Sequence, residues 1–183
     1  MIRIGKGVEK RMKLDIMESM KVRHSVRTYQ KKDIPEELLQ EIRAFLDSLQ
    51  NKEQSKVKIK LVKQELGDKS VKLGTYGVIK GASYFFAGVC ENIKEGYRNL
   101  GYVMEKAVLF CTSLGLGTCW IGGTFNKGNF AKVIELAGNE VIGSVSPLGW
   151  EAEKNSWLGN IMSQKGKRKE FEVNSISIWM LSV

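Results

Sequence analysis

Residues 95–123 read EGYRNLGYVMEKAVLFCTSLGLGTCWIGG, a long helical pattern that runs into a glycine-rich turn. As far as Leu114 the apolar side chains cover a wide arc of a helix, which predicts a central helix buried on most sides. The glycines that follow favour a helix end and a turn. A short core strand is then expected over Thr118–Ile121.

The same region raises the question of a membrane span, because residues 107–126 contain no charged side chain. Four glycines and four hydroxyl side chains interrupt it, and glycine supports a helix poorly. A buried helix, a turn and a buried strand explain the pattern better. We therefore expect no membrane partner.

Weaker patterns predict the elements before and after this segment. A first helix is predicted over Asp15–Lys21, with Asp15 as its N-cap and with Ile16, Met17 and Met20 turned inward. A second, amphipathic helix is expected, with Asp33 as an N-cap candidate and Pro35 near its first helical position. The remaining predictions are strands at residues 57–61, 82–90 and 140–145 and a short helix at residues 130–136. This irregular alternation predicts an α+β or mixed α/β class.

Composition narrows the possible functions. The chain has 183 residues, 43% hydrophobic and 27% charged, which are values typical of one globular domain. The formal net charge of +9 favours anionic partners such as nucleic acid, a membrane surface or phosphorylated small molecules. Three cysteines and one histidine show no metal-site spacing and no disulfide framework, so a reducing cytoplasm is expected.

Residues 23–27, Arg-His-Ser-Val-Arg, are the first candidate site. Two guanidinium groups and a hydroxyl group near one bend can close around a phosphate, since arginine presents a fork of donors. A solvated basic loop would show the same pattern.

Three further segments have a functional and a plain interpretation. The glycines of residues 115–123 allow close backbone approach to a flat ligand, or cap a helix before a bulged strand. Residues 147–150, at the exit of a predicted strand, could position backbone groups at a ligand or form a simple turn. Residues 165–169, Lys-Gly-Lys-Arg-Lys, could complete an anion site or be a basic tail.

Neither a nucleophile–base pair nor a carboxylate cluster stands out, so no catalytic side chain and no metal site are predicted. If the protein is an enzyme, a bound cofactor would supply the reactive groups. Zinc-finger, RNP and helix-turn-helix signatures are also missing, which makes nucleic acid an unexpected partner.

The order of these segments resembles the nitroreductase family of flavoproteins. The basic segment at 23–27, the helix entry at 34–38, the glycine-rich segment at 115–122 and the turn at 147–149 follow one another as in that family. The stretch Tyr-Gly-Val-Ile-Lys-Gly-Ala at 76–82 is similar to one subgroup. The resemblance spans about residues 15–170.

The resemblance implies an α+β fold with a mixed, mainly antiparallel sheet flanked by helices, and a homodimer with FMN at the interface. It implies hydride transfer from NADH or NADPH, through FMN, to a small-molecule acceptor such as a nitroaromatic compound or a quinone. Carried over by position, the phosphate of FMN would be held by Arg23, Ser25 and Arg27, with His24 alongside, and Arg168 or a neighbouring lysine would complete the site. The flavin ring would be lined by Trp120, Ile121, Gly122, Gly123, Pro147, Leu148 and Gly149.

The resemblance also divides the chain into a basic N-terminal arm at 1–14, a nitroreductase-like domain at 15–170 and an atypical apolar tail at 171–183. The tail has no counterpart to the family's flavin-packing Pro-Ser-Ala…Asn…Gln-Pro-Trp segment. Two alternatives therefore stay open. One is a degenerate protein that binds a flavin or nucleotide without turnover, and the other is a basic nucleic-acid-binding protein.

Overall fold

The computed structural model describes residues 15–52, 56–64, 77–123 and 125–152. Within these residues the elements are α1 (Ile16–Val22), α2 (Glu36–Lys52), β1 (Lys58–Lys63), β2 (Tyr84–Glu91), α3 (Lys94–Ser113), β3 (Gly117–Thr118), α4 (Lys127–Val133) and β4 (Glu140–Gly149). The predicted α+β class is confirmed. Among the described helices none is long and apolar enough to span a membrane.

The sheet is antiparallel, and its strands lie in the order β1-β2-β4-β3. Among the described residues, parallel pairing occurs only in isolated bridges, as between Ser25 and Thr118. The predicted mainly antiparallel sheet with flanking helices is therefore what the chain forms. Strand β2 pairs along its whole length with β4, which places these two strands at the centre.

Each face of the sheet is covered by an apolar cluster. Phe86 of β2 lies in the cluster formed with α2 and α3, and its neighbour Phe85 lies in the opposite cluster with Phe130 of α4. Alternate residues of a strand point to opposite faces, so the stretch of β2 from Tyr84 to Cys90 must be apolar to be covered on both sides. That requirement explains the unbroken apolar run that predicted this strand.

Helix α3 ends as its sequence predicts. Gly115 adopts φ +77°, a left-handed conformation that favours glycine. The N–H group of Leu116 donates to the carbonyl of Cys111 at 3.0 Å, and that of Gly115 donates to Thr112 at 2.9 Å. These two bonds form a Schellman motif, and buried Leu116 supplies its usual apolar contact.

The predicted orientation of α1 is wrong. Asp15 caps the helix as expected, accepting the N–H of Glu18 at 2.8 Å. However, Ile16, Met17 and Met20 are exposed, and the buried residue of this helix is Ser19. The pattern identified an apolar face, but that face is turned away from the described part of the chain.

One N-cap and one helix start differ from prediction. Helix α2 begins at Glu36, directly after Pro35, as expected, but the carboxylate of Asp33, the N-cap candidate, instead lies 3.7 Å from the ammonium group of Lys63. Helix α4 begins at residue 127, three residues before the predicted start at 130. Its N-cap is Asn126, whose side chain accepts the N–H of Asn129.

Strand β4 is longer than predicted. It continues through Pro147, Leu148 and Gly149, so the turn expected at residues 147–150 is wrong. Proline has no N–H to donate at this position of the strand. Cys119, which the register places opposite Pro147, donates its N–H to the hydroxyl of Ser146 at 3.2 Å. That hydroxyl in turn donates to the carbonyl of Pro147 at 3.1 Å, so a side chain links the two strands beside the proline.

Candidate functional site

The segment from Arg23 to Gln30 runs between several elements and is held by backbone hydrogen bonds. The N–H of Val26 donates to Thr118 in β3 at 2.8 Å, and that of Tyr29 donates to Lys80 at 2.8 Å. The N–H of Gln30 donates to Trp150, just after β4, at 2.9 Å. A segment without helix or strand of its own is therefore positioned as firmly as a strand.

This close approach depends on Gly117. A Cβ atom at that position would lie 2.7 Å from Cγ2 of Val26, which is well inside van der Waals contact. Glycine therefore allows the segment to pack directly on β3. The glycine-rich stretch and the basic segment, more than 80 residues apart in sequence, are brought into contact by this packing.

Buried Tyr29 fixes the inner side of the segment. Its hydroxyl donates to the carbonyl of Val26 at 2.6 Å. Burial raises the pKa of Tyr29 well above its usual value, so the hydroxyl keeps its proton and remains a donor. The bond holds the backbone bend at Val26. Ser25 precedes this residue and Arg27 follows it.

The guanidinium group of Arg27 is the most informative feature of the segment. Its Nε and Nη1 atoms are buried and, within the described residues, have no hydrogen-bond partner. A buried cation without acceptors is unfavourable, and guanidinium groups match the oxygens of phosphate well. The donor set therefore fits a phosphate group brought by a ligand.

Arg23 and His24 have carboxylate partners that the sequence did not predict. Nε of Arg23 lies 3.7 Å from Oε1 of Glu105 on α3. Nε2 of His24 lies 2.9 Å from Oε2 of Glu151, and its Nδ1 lies 3.1 Å from the carbonyl of Val22. Both ring nitrogens face oxygen acceptors, so the ring satisfies both contacts when each nitrogen carries a hydrogen.

Trp120 lies beside this cluster. Its indole Nε1–H donates to Oε2 of Glu105 at 2.8 Å, and about 36% of the residue is exposed. The next residue, Ile121, is buried and pairs with Val145 in β4. One carboxylate, that of Glu105, therefore contacts both the basic segment and the edge of the sheet.

The two glycines after Ile121 leave open space. Gly122 and Gly123 are exposed, and a Cβ atom built on either would meet no atom within 4 Å. This arrangement gives a ligand direct access to the backbone. By contrast, Pro147 and Leu148 are fully buried in β4, so their side chains are not accessible in the described part of the chain.

The structure thus gathers Arg23, His24, Ser25 and Arg27 on one segment and places that segment against β3. It places Trp120 to Gly123 at the adjoining edge and Pro147 to Gly149 inside the neighbouring strand. Arg168 lies outside the described residues, as do the predicted arm at 1–14 and the tail at 171–183. The described residues contain no group of three or more metal-ligating side chains.

Sequence reasoning missed Glu105 and Glu151. Glu105 lies on α3 beside the apolar arc, and Glu151 directly follows the 147–150 segment. The first contacts Arg23 across 82 positions of the chain and the second contacts His24 across 127. No local spacing signals such contacts.

Solved structures define the class of fold. A nitroreductase from Bacteroides fragilis, solved with bound FMN, has a TM-score of 0.61 and 19% identity, covering 88% of this chain and 97% of that one. The structure of a "Putative NADH dehydrogenase/NAD(P)H nitroreductase" from Bacteroides thetaiotaomicron has a TM-score of 0.63 and 18% identity, covering 87% of this chain and 94% of that one. The chain has the fold of these nitroreductases.

Sequence comparison gives the family. A family model described as "Putative TM nitroreductase" matches residues 15–179. A "Putative NADH dehydrogenase/NAD(P)H nitroreductase" of Methanothermobacter thermautotrophicus is 27% identical over 152 residues, which are 77% of this chain and 80% of that protein. The chain belongs to the nitroreductase family and is an oxidoreductase.

Proposed function

We propose that the protein binds FMN, takes hydride from NADH or NADPH, and reduces a small-molecule acceptor such as a nitroaromatic compound or a quinone. One observation carries this proposal: the Nε and Nη1 atoms of Arg27 are buried and have no hydrogen-bond partner in the described residues. The named relative, an NAD(P)H nitroreductase, and the FMN-bound structure of the same fold support it.

The phosphate of FMN would be held by Arg27 and Arg23, with the hydroxyl of Ser25 beside them. Two guanidinium groups neutralise the dianion and supply several donors to its oxygens. His24 would hold the segment in place through Glu151 rather than through the ligand. The family resemblance adds Arg168 as a further phosphate contact, which remains a prediction.

The flavin ring would lie against the edge formed by Trp120 to Gly123. FMN supplies the hydride-accepting and hydride-donating chemistry when bound. The chain contributes open backbone at Gly122 and Gly123 and the exposed indole of Trp120. Backbone amide dipoles at such an edge stabilise negative charge on a nearby ring. Pro147 to Gly149 would support this edge from the next strand.

A homodimer is part of the proposal. The exposed apolar residues of α1, which were expected to be buried, give the chain an uncovered face next to the basic segment. In such a dimer the site would lie near the subunit boundary, as the family resemblance implies. We also propose that the protein works in the cytoplasm, since its three cysteines are free thiols.

The proposal is tested by purifying the protein, adding FMN and recording the visible spectrum and the fluorescence of free flavin. We expect stoichiometric binding, followed by acceptor-dependent oxidation of NADH or NADPH. Binding without reduction by either nucleotide would favour a flavin-binding protein without turnover. Folded protein that binds no FMN would refute the proposal.

Substitutions of residues in the proposed phosphate site give a more specific test. Arg27→Ala and Arg23→Ala should each weaken FMN binding by about 1.5–3 kcal/mol, the cost of losing charge-assisted hydrogen bonds. Arg43→Ala is the matched control, because it removes an exposed arginine that pairs with Glu36 on α2. Equal affinities in all three variants would place the phosphate elsewhere.

Nucleic-acid binding is the alternative function that the experiments need to exclude. Lysines near β1 face carboxylates, as Lys56 does with Glu91 at 2.7 Å and Lys58 with Glu140 at 2.6 Å. These pairs reduce the cationic surface available to a polyanion. Affinity for DNA or RNA that falls steeply with salt would nevertheless revive the nucleic-acid hypothesis.

A further inference from the structure

Glu105 lies between the two halves of the proposed flavin site. Its Oε2 accepts the indole N–H of Trp120 at 2.8 Å, while its Oε1 lies 3.7 Å from Nε of Arg23. One oxygen therefore makes a hydrogen bond of normal length, and the other makes a looser ion pair. The side chains of Arg23 and Glu105 are 24% and 41% exposed, so a ligand from solvent can reach this pair.

These contacts have different consequences when an anion arrives. The bond to Trp120 fixes the carboxylate, because the indole N–H only donates and an arriving anion does not displace it from the carboxylate oxygen. Arg23 can instead exchange one anion for another. A phosphate dianion carries more charge than a carboxylate and offers more acceptor oxygens, so it competes well for the guanidinium group.

We propose that Glu105 is an internal competitor for Arg23: it pairs with this arginine in the flavin-free protein and yields it to the phosphate of FMN, while it stays bonded to Trp120. The inference rests on the proposed function for the identity of the phosphate. Glu105 is thus a positioning residue that determines how strongly the phosphate group contributes to flavin affinity.

The same contacts predict a link between the two halves of the site. When Arg23 leaves Oε1, the carboxylate carries more negative charge toward its remaining donor, and the hydrogen bond from Trp120 becomes stronger. Phosphate binding should therefore shift the NMR resonance of the indole N–H of Trp120. This resonance can be followed without any turnover of the enzyme.

The first experiment compares FMN with riboflavin, which lacks the phosphate. Glu105→Gln removes the competing charge but keeps an oxygen that can accept the indole N–H. We expect the affinity ratio of FMN to riboflavin to rise about two- to fivefold, the range for one partly exposed ion pair. Glu95→Gln is the matched control, since it removes a surface pair with Arg98 on the same helix. An unchanged or lower ratio in Glu105→Gln would overturn the inference.

The second experiment needs no flavin. Indole N–H resonances are recorded in the flavin-free protein, and Trp120→Phe identifies the peak of Trp120 among the four tryptophans. Inorganic phosphate should shift this peak in the wild type, and the shift should be lost in Arg23→Ala. A phosphate response that persists in Arg23→Ala, or a Trp120 peak unmoved by phosphate in the wild type, would contradict the proposed exchange.

The two experiments separate the inference from the proposed function. If the protein binds no FMN but phosphate shifts the Trp120 peak through Arg23, the proposed function fails, and the exchange of Arg23 between Glu105 and a phosphate stands. If FMN binds and the flavin affinity ratio is the same in Glu105→Gln and wild type, the role of Glu105 fails and the proposed function stands.

Discussion

The side chain of Arg27 favours ligand binding but lowers the stability of the ligand-free protein. Two of its nitrogens are buried without acceptors in the described residues, and such groups cost about 1–3 kcal/mol each when water cannot reach them. A ligand phosphate would supply these acceptors. Binding of an anion would therefore supply acceptors to the two buried N–H groups of this half-buried cation.

This cost gives the first stability prediction. Arg27→Met replaces the guanidinium group with an apolar side chain of similar length, so the flavin-free protein should gain about 1 kcal/mol in its free energy of unfolding. The same variant should lose phosphate-dependent FMN affinity. Urea unfolding of the flavin-free protein, with the Arg43→Met variant as control, measures the first effect. A clear loss of stability would mean that the guanidinium group has acceptors in the folded protein.

At the scale of elements, the packing of the basic segment on β3 is the critical contact. Gly117→Ala would place Cβ 2.7 Å from Cγ2 of Val26, and overpacking of this kind costs about 1–3 kcal/mol. The segment should also be displaced, so FMN affinity should fall together with stability. Thermal unfolding and a flavin titration on the same preparation test both effects.

Gly101→Ala is the matched control for this variant. Gly101 lies within α3, and a Cβ atom there would meet nothing within 4 Å. Alanine is the better helix former, so this substitution should stabilise the protein by about 0.5–1 kcal/mol. If Gly117→Ala behaves like Gly101→Ala, the segment is not packed on β3 as described.

The elements were predictable to different degrees for physical reasons. Helix α3 and strand β2 were found because burial on many sides forces an apolar pattern that is legible in sequence. Strand β4 was cut short because Pro147 suggested a turn, whereas the hydroxyl of Ser146 links this part of the strand to Cys119. The contacts of Glu105 and Glu151 join distant parts of the chain and leave no local pattern.

At the scale of the whole molecule, the carboxylates of Glu91 on β2 and Glu140 on β4 pair with lysines at or just before the start of β1, at one end of the sheet. A hydrogen bond from Lys56, assisted by one from Asn139, holds the pKa of Glu91 below its usual 4.5. A hydrogen bond from Lys58, assisted by the N–H of Ala137, lowers the pKa of Glu140 in the same way. Since the folded state favours the charged forms, their contribution is complete above about pH 4.5 and is lost as the pH falls through the lowered values.

This coupling predicts acid sensitivity. Glu140→Gln should lower the free energy of unfolding at pH 7, and it should make the loss of stability below pH 4.5 shallower than in the wild type. Urea unfolding measured between pH 7 and pH 3 tests both points, with Glu95→Gln as a control on the solvent side of α3. A Glu140→Gln curve parallel to the wild-type curve would show that the Lys58 pair does not couple folding to pH.

The exposed face of α1 gives the last prediction, because it concerns how copies of the chain assemble. Ile16 and Met17 are 59% and 60% exposed, so an acidic substitution there should leave the isolated chain folded. In a homodimer that covers this face, Met17→Glu would bury a charge against apolar groups and should weaken association roughly tenfold or more. Sedimentation equilibrium measures this shift, and Gln40→Glu, an exposed position on α2, controls for the added charge. A dimer that persists unchanged in Met17→Glu would place the subunit contact away from α1, and the flavin site would then have to be completed by another surface.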